Sequence, residues 1–300
     1  MRVVITGGTG FIGKKLSLAL VAKGYQVIAL TRSSRPSDIS GVRNVVWDGS
    51  TSSGWAEFVD GATAIVNLAG ENIASGRWTD KKKESIKKSR IEAGEAVCEA
   101  VSKVAVKPAV VIQGSAIGYY GSRGAEPVNE EADSGDSFLA EVACKWEAST
   151  ASVENYGVRR VIIRTAMVLG HGGALAKMLP AFRVGLGSYL GHGHQGVSWI
   201  HVDDEVRAIV FLIENSDCVG VYNLSSLNPV TSNKFNNVLG RILGKPVFLR
   251  VPAFFLKLIL GQMAEDVLLG GQFVLPEKLI SSGFNFEYIE VEDALMGLLQ

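Results

Sequence analysis

The chain has 300 residues, 47% of them hydrophobic, enough for one large α/β domain or one such domain with a smaller lobe. Lys plus Arg (30) balance Asp plus Glu (30), so no general attraction to phosphate backbones or anionic membranes exists, and neither nucleic acid nor membrane is expected as a partner. Mean hydropathy is +0.21, yet the most apolar stretch, 251–260, contains Lys257 and is about half of a membrane-spanning length.

The first predicted strand covers residues 2–6 and leads through a glycine-rich turn into a helix over 11–23. Strand entry at Arg2 leaves no room for a signal peptide. Three scattered cysteines, Cys98, Cys144 and Cys218, form no CxxC pair. A reducing, cytoplasmic setting without disulfides or zinc is therefore expected. Further strands are predicted at 25–30, 44–47, 62–68, 109–113 and 159–165. Their near-continuous apolar runs, Val3-Val4-Ile5 and Val110-Val111-Ile112, suit strands covered by helices on both faces. Helices are predicted at 79–104 and 137–155, the second with Asp136 as N-cap. In the first of these, Lys81, Lys82, Lys83, Lys87 and Lys88 read as a solvated face.

After Gly170 the texture changes, with a glycine-rich stretch at 185–196. A strand at 198–202, a helix from Asp204, a strand at 219–224, a helix at 231–243 and a terminal helix at 292–299 follow. The apolar stripe Phe254, Phe255, Leu256, Leu258, Ile259 and Leu260 predicts core packing by default. If exposed, it would mark a substrate cleft or a dimer face, so a homodimer stays open.

Chemistry concentrates at the first turn, Thr6-Gly7-Gly8-Thr9-Gly10-Phe11-Ile12-Gly13. Gly7 lets the chain turn out of the strand, Gly10 lets a diphosphate approach the backbone, and Gly13 lets the helix pack closely on the sheet. Amides at the helix start, near Thr9, Phe11 and Ile12, and the positive end of the helix dipole then face the phosphates. The alternative is a structural glycine turn without ligand. The second strand ends in Leu30-Thr31-Arg32-Ser33-Ser34-Arg35, with no acid until Asp38. An NAD site normally places Asp or Glu there for the ribose 2′-hydroxyl. Arg32 suits a 2′-phosphate instead, with Thr31 and Ser33 hydroxyls in support, so NADP is expected and NADPH is favoured over NADH. A plain loop cation is the alternative for Arg32. Leu68-Ala69-Gly70-Glu71 supplies small residues where the backbone passes the cofactor. The expected fold class is α/β, a Rossmann doubly wound parallel sheet with a smaller C-terminal substrate lobe. Residues 1–170 form the NADP-binding domain and 171–300 the lobe, interleaved with the first.

With TGGTGFIG at 6–13 and NLAG at 67–70, the chain resembles the extended short-chain dehydrogenase/reductase superfamily, which includes sugar-nucleotide epimerases. Ser115-Ala116-Ile117-Gly118-Tyr119-Tyr120-Gly121, Phe138-Leu139-Ala140-Glu141-Val142 with Trp146-Glu147, and Ser198-Trp199-Ile200-His201-Val202-Asp203-Asp204 narrow this. So do Gly270-Gly271-Gln272, Leu275-Pro276 and Gly283-Phe284 in the tail. Together they resemble the atypical epimerase-family group that includes the mammalian short-chain dehydrogenase 39U member. The resemblance implies a Tyr, a Lys four residues later and a hydroxyl residue on the preceding strand end. There the ammonium and the oxidised nicotinamide make the phenol a usable base.

That apparatus is missing. Four residues before Lys145 stands Glu141. Anchoring on Glu147 places Leu139 at the Tyr position and Ala143 at the Lys position; anchoring on Tyr120-Gly121 places Ala116 at the hydroxyl position, with Ser115 one step off. Ser115, Tyr120, Glu141 and His201 are the remaining pocket candidates, each with a plainer alternative. Tyr119-Tyr120 reads as a packing pair, Glu141 with Lys145 as a surface ion pair, and His201 as a structural imidazole. His192 and His194 lack a third ligand, so no metal is expected. Two functions compete: an NADP-dependent oxidoreductase or epimerase-like enzyme acting on a small carbonyl or sugar-type substrate, and a non-catalytic NADP-binding regulatory or partner-binding protein.

Overall fold

A computed structural model describes residues 1–34 and 36–300. Arg35, named above in the loop after the second strand, lies outside them. Short β-branched runs make seven strands: β1 (Arg2–Thr6), β2 (Gln26–Thr31), β3 (Val42–Val46), β4 (Ala64–Asn67), β5 (Val110–Ala116), β6 (Arg159–Thr165) and β7 (Gly220–Leu224). All seven pair in parallel in one sheet, in the order β7-β6-β5-β4-β1-β2-β3. β1 and β4 are neighbours, yet the chain leaves β1 toward β2 on one side and returns at β4 on the other. Their outgoing loops therefore part, and a crevice opens at the C-terminal ends of the strands.

The period of two along each strand sorts the core. Val3 and Ile5 of β1 join Leu16 and Leu20 of α1 (Phe11–Ala22) on one face. Val4 joins Ala93, Val97 and Val101 of α2 (Asp80–Lys103) on the other. Burying each large aliphatic chain contributes about 1.5–3 kcal/mol, so both faces are firmly covered. α3 (Phe138–Ala148) packs on α2, and α5 (Val202–Glu214) on α1. A further cluster joins Leu175 and Leu179 of α4 (Gly173–Arg183), Phe235 and Leu239 of α6 (Ser232–Ile242), and Leu295 of the terminal helix Val291–Leu299. Both α5 and β7 come from beyond Gly170 and return to the main sheet, so the later part of the chain is interleaved with the first.

Several elements differ from expectation for local reasons. The helix predicted at 137–155 ends at Ala148 and is followed by a separate 3₁₀ turn, Ala151–Tyr156. The Ser149 hydroxyl turns back onto the Trp146 carbonyl at 2.6 Å, competing with the next helical turn. Its N-cap is Ser137, whose Oγ accepts from the Ala140 amide, not Asp136. β5 runs three residues further than predicted, through Gly114, Ser115 and Ala116. A Cβ on Gly114 would lie 2.6 Å from the Asn67 carbonyl oxygen, so glycine there serves close strand packing rather than a strand end. Among the described residues no helix is long and apolar enough to cross a membrane.

Candidate functional site

Backbone geometry after β1 builds the floor of the crevice. Gly7 has φ +70°, and a Cβ on it would sit 3.0 Å from the Leu68 carbonyl, so glycine alone lets these two loops approach. A Cβ on Gly13 would lie 2.4 Å from the Gly7 oxygen, which presses α1 against the turn. Gly10 is the N-cap of α1, and no side chain caps its first turn. The amides of Phe11, Ile12 and Gly13 thus stand at the positive end of a 12-residue helix, an arrangement that favours an anion. A buried polar ladder fixes the strand ends: Thr6 Oγ1 to Asn67 Oδ1 at 2.5 Å, Asn67 Nδ2 to Gln113 Oε1 at 2.9 Å, and the Ala69 amide to Thr6 Oγ1 at 3.1 Å.

A cavity of about 380 Å³ runs over this floor. Gly7, Thr9, Gly10, Thr31, Arg32, Leu68, Ala69, Gly70 and Glu71, all named from the sequence, line it. Trp47, Asp48, Gly49 and Ser50 close its far end and were not foreseen, although an Asp-Gly turn at the end of β3 is a readable signal. Hydrogen bonds from the Thr51 hydroxyl and the Ser50 and Thr51 amides close that turn and hold the Asp48 carboxyl below its ordinary range. Behind Thr31 a second cavity of about 280 Å³ brings Ser33 together with Lys14, a cation the sequence reading passed over. The side chains of Phe11 and Ile12 point elsewhere. Phe11 fills the space left by Gly170 and Gly172, and Ile12 packs on the core. Their amides remain at the helix start.

Glu71 is held by Lys82 at 2.5 Å, and this bond, with Arg32 and Arg90 nearby, keeps its carboxyl low. Lys82 is thus no member of a merely solvated face, whereas Lys87 with Glu84 and Lys88 with Glu92 are surface pairs. Arg90 donates to the Glu71 and Ile86 carbonyls and lies under the Trp146 ring. Burial pushes its guanidinium down to about 10, with Glu71 opposing.

Beyond Arg90 lies an inner cavity of about 300 Å³ walled by Ile73, Ile117, Val142, Trp146 and Met167. Ala116, Leu139 and Ala143 also face it. The three positions that the resemblance assigns to hydroxyl, Tyr and Lys therefore converge on one space, and all three are apolar.

The four pocket candidates lie outside that lining, which corrects the expectation. Ser115 points to the opposite side of β5 from Ala116, as strand alternation requires, and donates to Glu147 Oε1 at 2.6 Å. Glu147 in turn holds Arg164 through two bonds, 2.9 and 3.0 Å. Tyr120 is fully buried, its hydroxyl on Asn223 at 2.7 Å and Arg164 at 3.1 Å; burial raises its pKa against the pull of Arg164. Glu141, two residues on from Leu139, projects to the other side of α3 and pairs with Lys145 at 2.6 Å on the surface. His201 caps α5, its Nδ1 accepting from the Asp203 amide, and stacks on Tyr288; burial pushes its pKa down. The stripe on α7 (Ala253–Leu260) likewise departs from core packing. Only Leu256 is buried, while Phe254 is 62% and Leu258 69% exposed.

Sequence reasoning missed the polar groups that do serve the inner cavity. Thr165, Asp266 and Gln272 line it. Asp266 sits in a π-helical turn, Ala264–Leu269, a form that recurs at functional sites. Its Oδ2 is enclosed without a hydrogen-bond partner among the described residues. Burial pushes this carboxyl up, with the Leu139 amide opposing. Thr165 Oγ1 bonds Glu205 at 2.8 Å. Glu205 is wholly buried, its second oxygen has no partner among the described residues, and burial pushes it up to about 8. A neutral carboxyl and a hydroxyl can each donate, so this pair can present a proton to the cavity.

Fold and floor together define a Rossmann-type dinucleotide-binding protein. Residues 3–225 match the NAD dependent epimerase/dehydratase family, and residues 251–298 match DUF1731, a domain of unknown function. The chain belongs to the NAD-dependent epimerase/dehydratase family. Within it, the chain is similar to the epimerase family protein YfhF of Bacillus subtilis, 36% identical over 100% of this chain and 98% of that one. It is 40% identical to the chloroplastic SDR39U1 homolog of Arabidopsis thaliana, over 100% of this chain and 87% of that one. The crystal structure of human epimerase family protein SDR39U1 (isoform 2) with NADPH superposes with a TM-score of 0.90 at 31% identity, covering 99% of both chains.

Proposed function

We propose that the protein binds NADP(H) across the crevice and transfers hydride between it and a small carbonyl or sugar-type compound in the inner cavity. The observation that carries this is the end of β2, where an NAD site would place an acid. Arg32 lines the crevice there and Lys14 lines the cavity behind Thr31 with Ser33. The first-turn amides of α1 would hold the diphosphate, and Arg32 with Lys14 would take the 2′-phosphate. When bound, the reduced nicotinamide supplies a hydride. Asp266 and the Thr165–Glu205 pair are the groups placed to hold or move the accompanying proton. A human relative crystallised with NADPH supports the cofactor choice. The scattered free cysteines support a reducing, cytoplasmic setting.

Titration of the wild type and of K14A, R32A and the double variant with NADPH and NADH tests the cofactor. Each charged contact is worth ~1.5–3 kcal/mol, so each single variant should bind NADPH about 10–100-fold more weakly, with NADH affinity unchanged. Equal affinity of the wild type for both would refute the assignment. The apolar identity of Ala116, Leu139 and Ala143 favours a second reading, a non-catalytic NADP-responsive protein. Tight NADPH binding without oxidation by any carbonyl compound would select it.

A further inference from the structure

We infer that the inner cavity takes a largely apolar carbonyl compound, neutral or positively charged, and excludes nucleoside diphosphate sugars. This rests on the reading of that cavity as the substrate site and narrows its substrate class. Ile117, Leu139, Val142, Trp146 and Met167 form most of its wall. A sugar ring would turn several hydroxyls toward this hydrocarbon, each unmatched group costing ~1–3 kcal/mol. Only a few polar side chains interrupt the wall, among them Thr165, Asp266 and Gln272, which suits one carbonyl oxygen rather than a ring of hydroxyls.

The adjoining space carries the opposite charge to the one a diphosphate needs. A smaller cavity of about 210 Å³ adjoins the inner one, sharing Leu139, Asp266 and Gln272 with it, and Asp136 and Glu265 also line this smaller cavity. No Lys or Arg lines it among the described residues. The nearby cations are engaged: Lys257 pairs with Glu265 at 2.5 Å, and Lys83 bonds Gln262. A diphosphate there would meet Asp136 and a Glu265 already paired with Lys257, with no free cation among the described residues of the lining to hold it, each like-charge contact costing about 1–4 kcal/mol between water and surface-like screening. Arg90 reaches the inner end, but its Nη1 is bonded to two carbonyls and a Cβ on Gly70 would lie 2.9 Å from its guanidinium carbon. It belongs to the wall shared with the dinucleotide cleft.

The test uses the whole protein saturated with NADP⁺, so that no turnover intervenes, and saturation-transfer NMR with three para-substituted benzaldehydes of similar bulk. These carry tert-butyl, trimethylammonio or carboxylate groups, and UDP-glucose serves as competitor. The neutral and cationic aldehydes should bind, para-formylbenzoate at least about tenfold more weakly, and UDP-glucose should displace none of them. V267W, on the wall of the same cavity, should abolish aldehyde binding while NADP⁺ still binds, which also shows that the variant folds. Failure of NADP⁺ to bind would sink the dinucleotide reading itself. With NADP⁺ bound, three results would each overturn the inference: displacement by UDP-glucose, tighter binding of the carboxylate, or no aldehyde binding at millimolar concentration.

Discussion

Replacing Glu205 by Gln isolates the cost of a carboxyl buried with one hydrogen bond. Glutamine keeps the shape and an acceptor oxygen for the Thr165 hydroxyl, but it cannot ionise. Burial raises the folded-state pKa from 4.5 to about 8. Below the lower value both states of the wild type are protonated and carry no penalty. Between the two values the unfolded chain releases the proton while the folded chain keeps it, so wild-type stability falls as pH rises, by ~1.36 kcal/mol per pH unit. At about pH 7 the loss is ~3 kcal/mol, and it levels off above the folded-state value. E205Q escapes this loss. Urea denaturation of both proteins should show near-equal midpoints at about pH 4 and a growing advantage for E205Q up to about pH 8. A difference independent of pH, or a less stable E205Q at the alkaline end, would refute the picture of a neutral buried acid.

Other changes separate structure from chemistry. E147A leaves Arg164 buried without its two-bond partner and should cost ~3–5 kcal/mol by the same denaturation assay, with Ser115 losing its acceptor; a loss under one kcal/mol would contradict it. G13A forces a methyl group against the Gly7 carbonyl and should lower stability by ~1–3 kcal/mol and abolish stabilisation by NADPH in a thermal-shift assay. D266N should slow carbonyl reduction by about a hundredfold or more without changing the NADPH dissociation constant. Because burial raises Asp266, the wild-type rate should fall as pH rises through that raised value, a fall that D266N loses. The paired change L258E and I259E on α7 should leave the unfolding midpoint almost unmoved, within about 0.5 kcal/mol, since both side chains already face solvent.

The strand cores and the glycine turn were legible because each depends on local sequence. Three consecutive apolar residues mark a strand covered twice, and Gly13 answers a contact with Gly7 made within one turn. The absent Tyr–Lys pair was also legible, since Leu139 and Ala143 are one helical turn apart and face one cavity. Positions set by distant chain segments were not. Ser115 and Ala116 differ by one residue, and a strand sends neighbours to opposite sides, so only the register of β5 decides which one faces the cavity. Asp266 reaches the cavity through a π-helical turn with no clear sequence signature, 127 residues after Leu139. Lys14 stands one residue past the motif, on the helix face that turns toward β2.

Diffraction from crystals grown with NADPH tests the central claim most directly. The account predicts the 2′-phosphate between Lys14 and Arg32, the diphosphate on the amides of Phe11 and Ile12, and the nicotinamide ring at the inner cavity beside Ala143 and Leu139. A ring turned out to solvent, or an adenosine phosphate away from both cations, would contradict it.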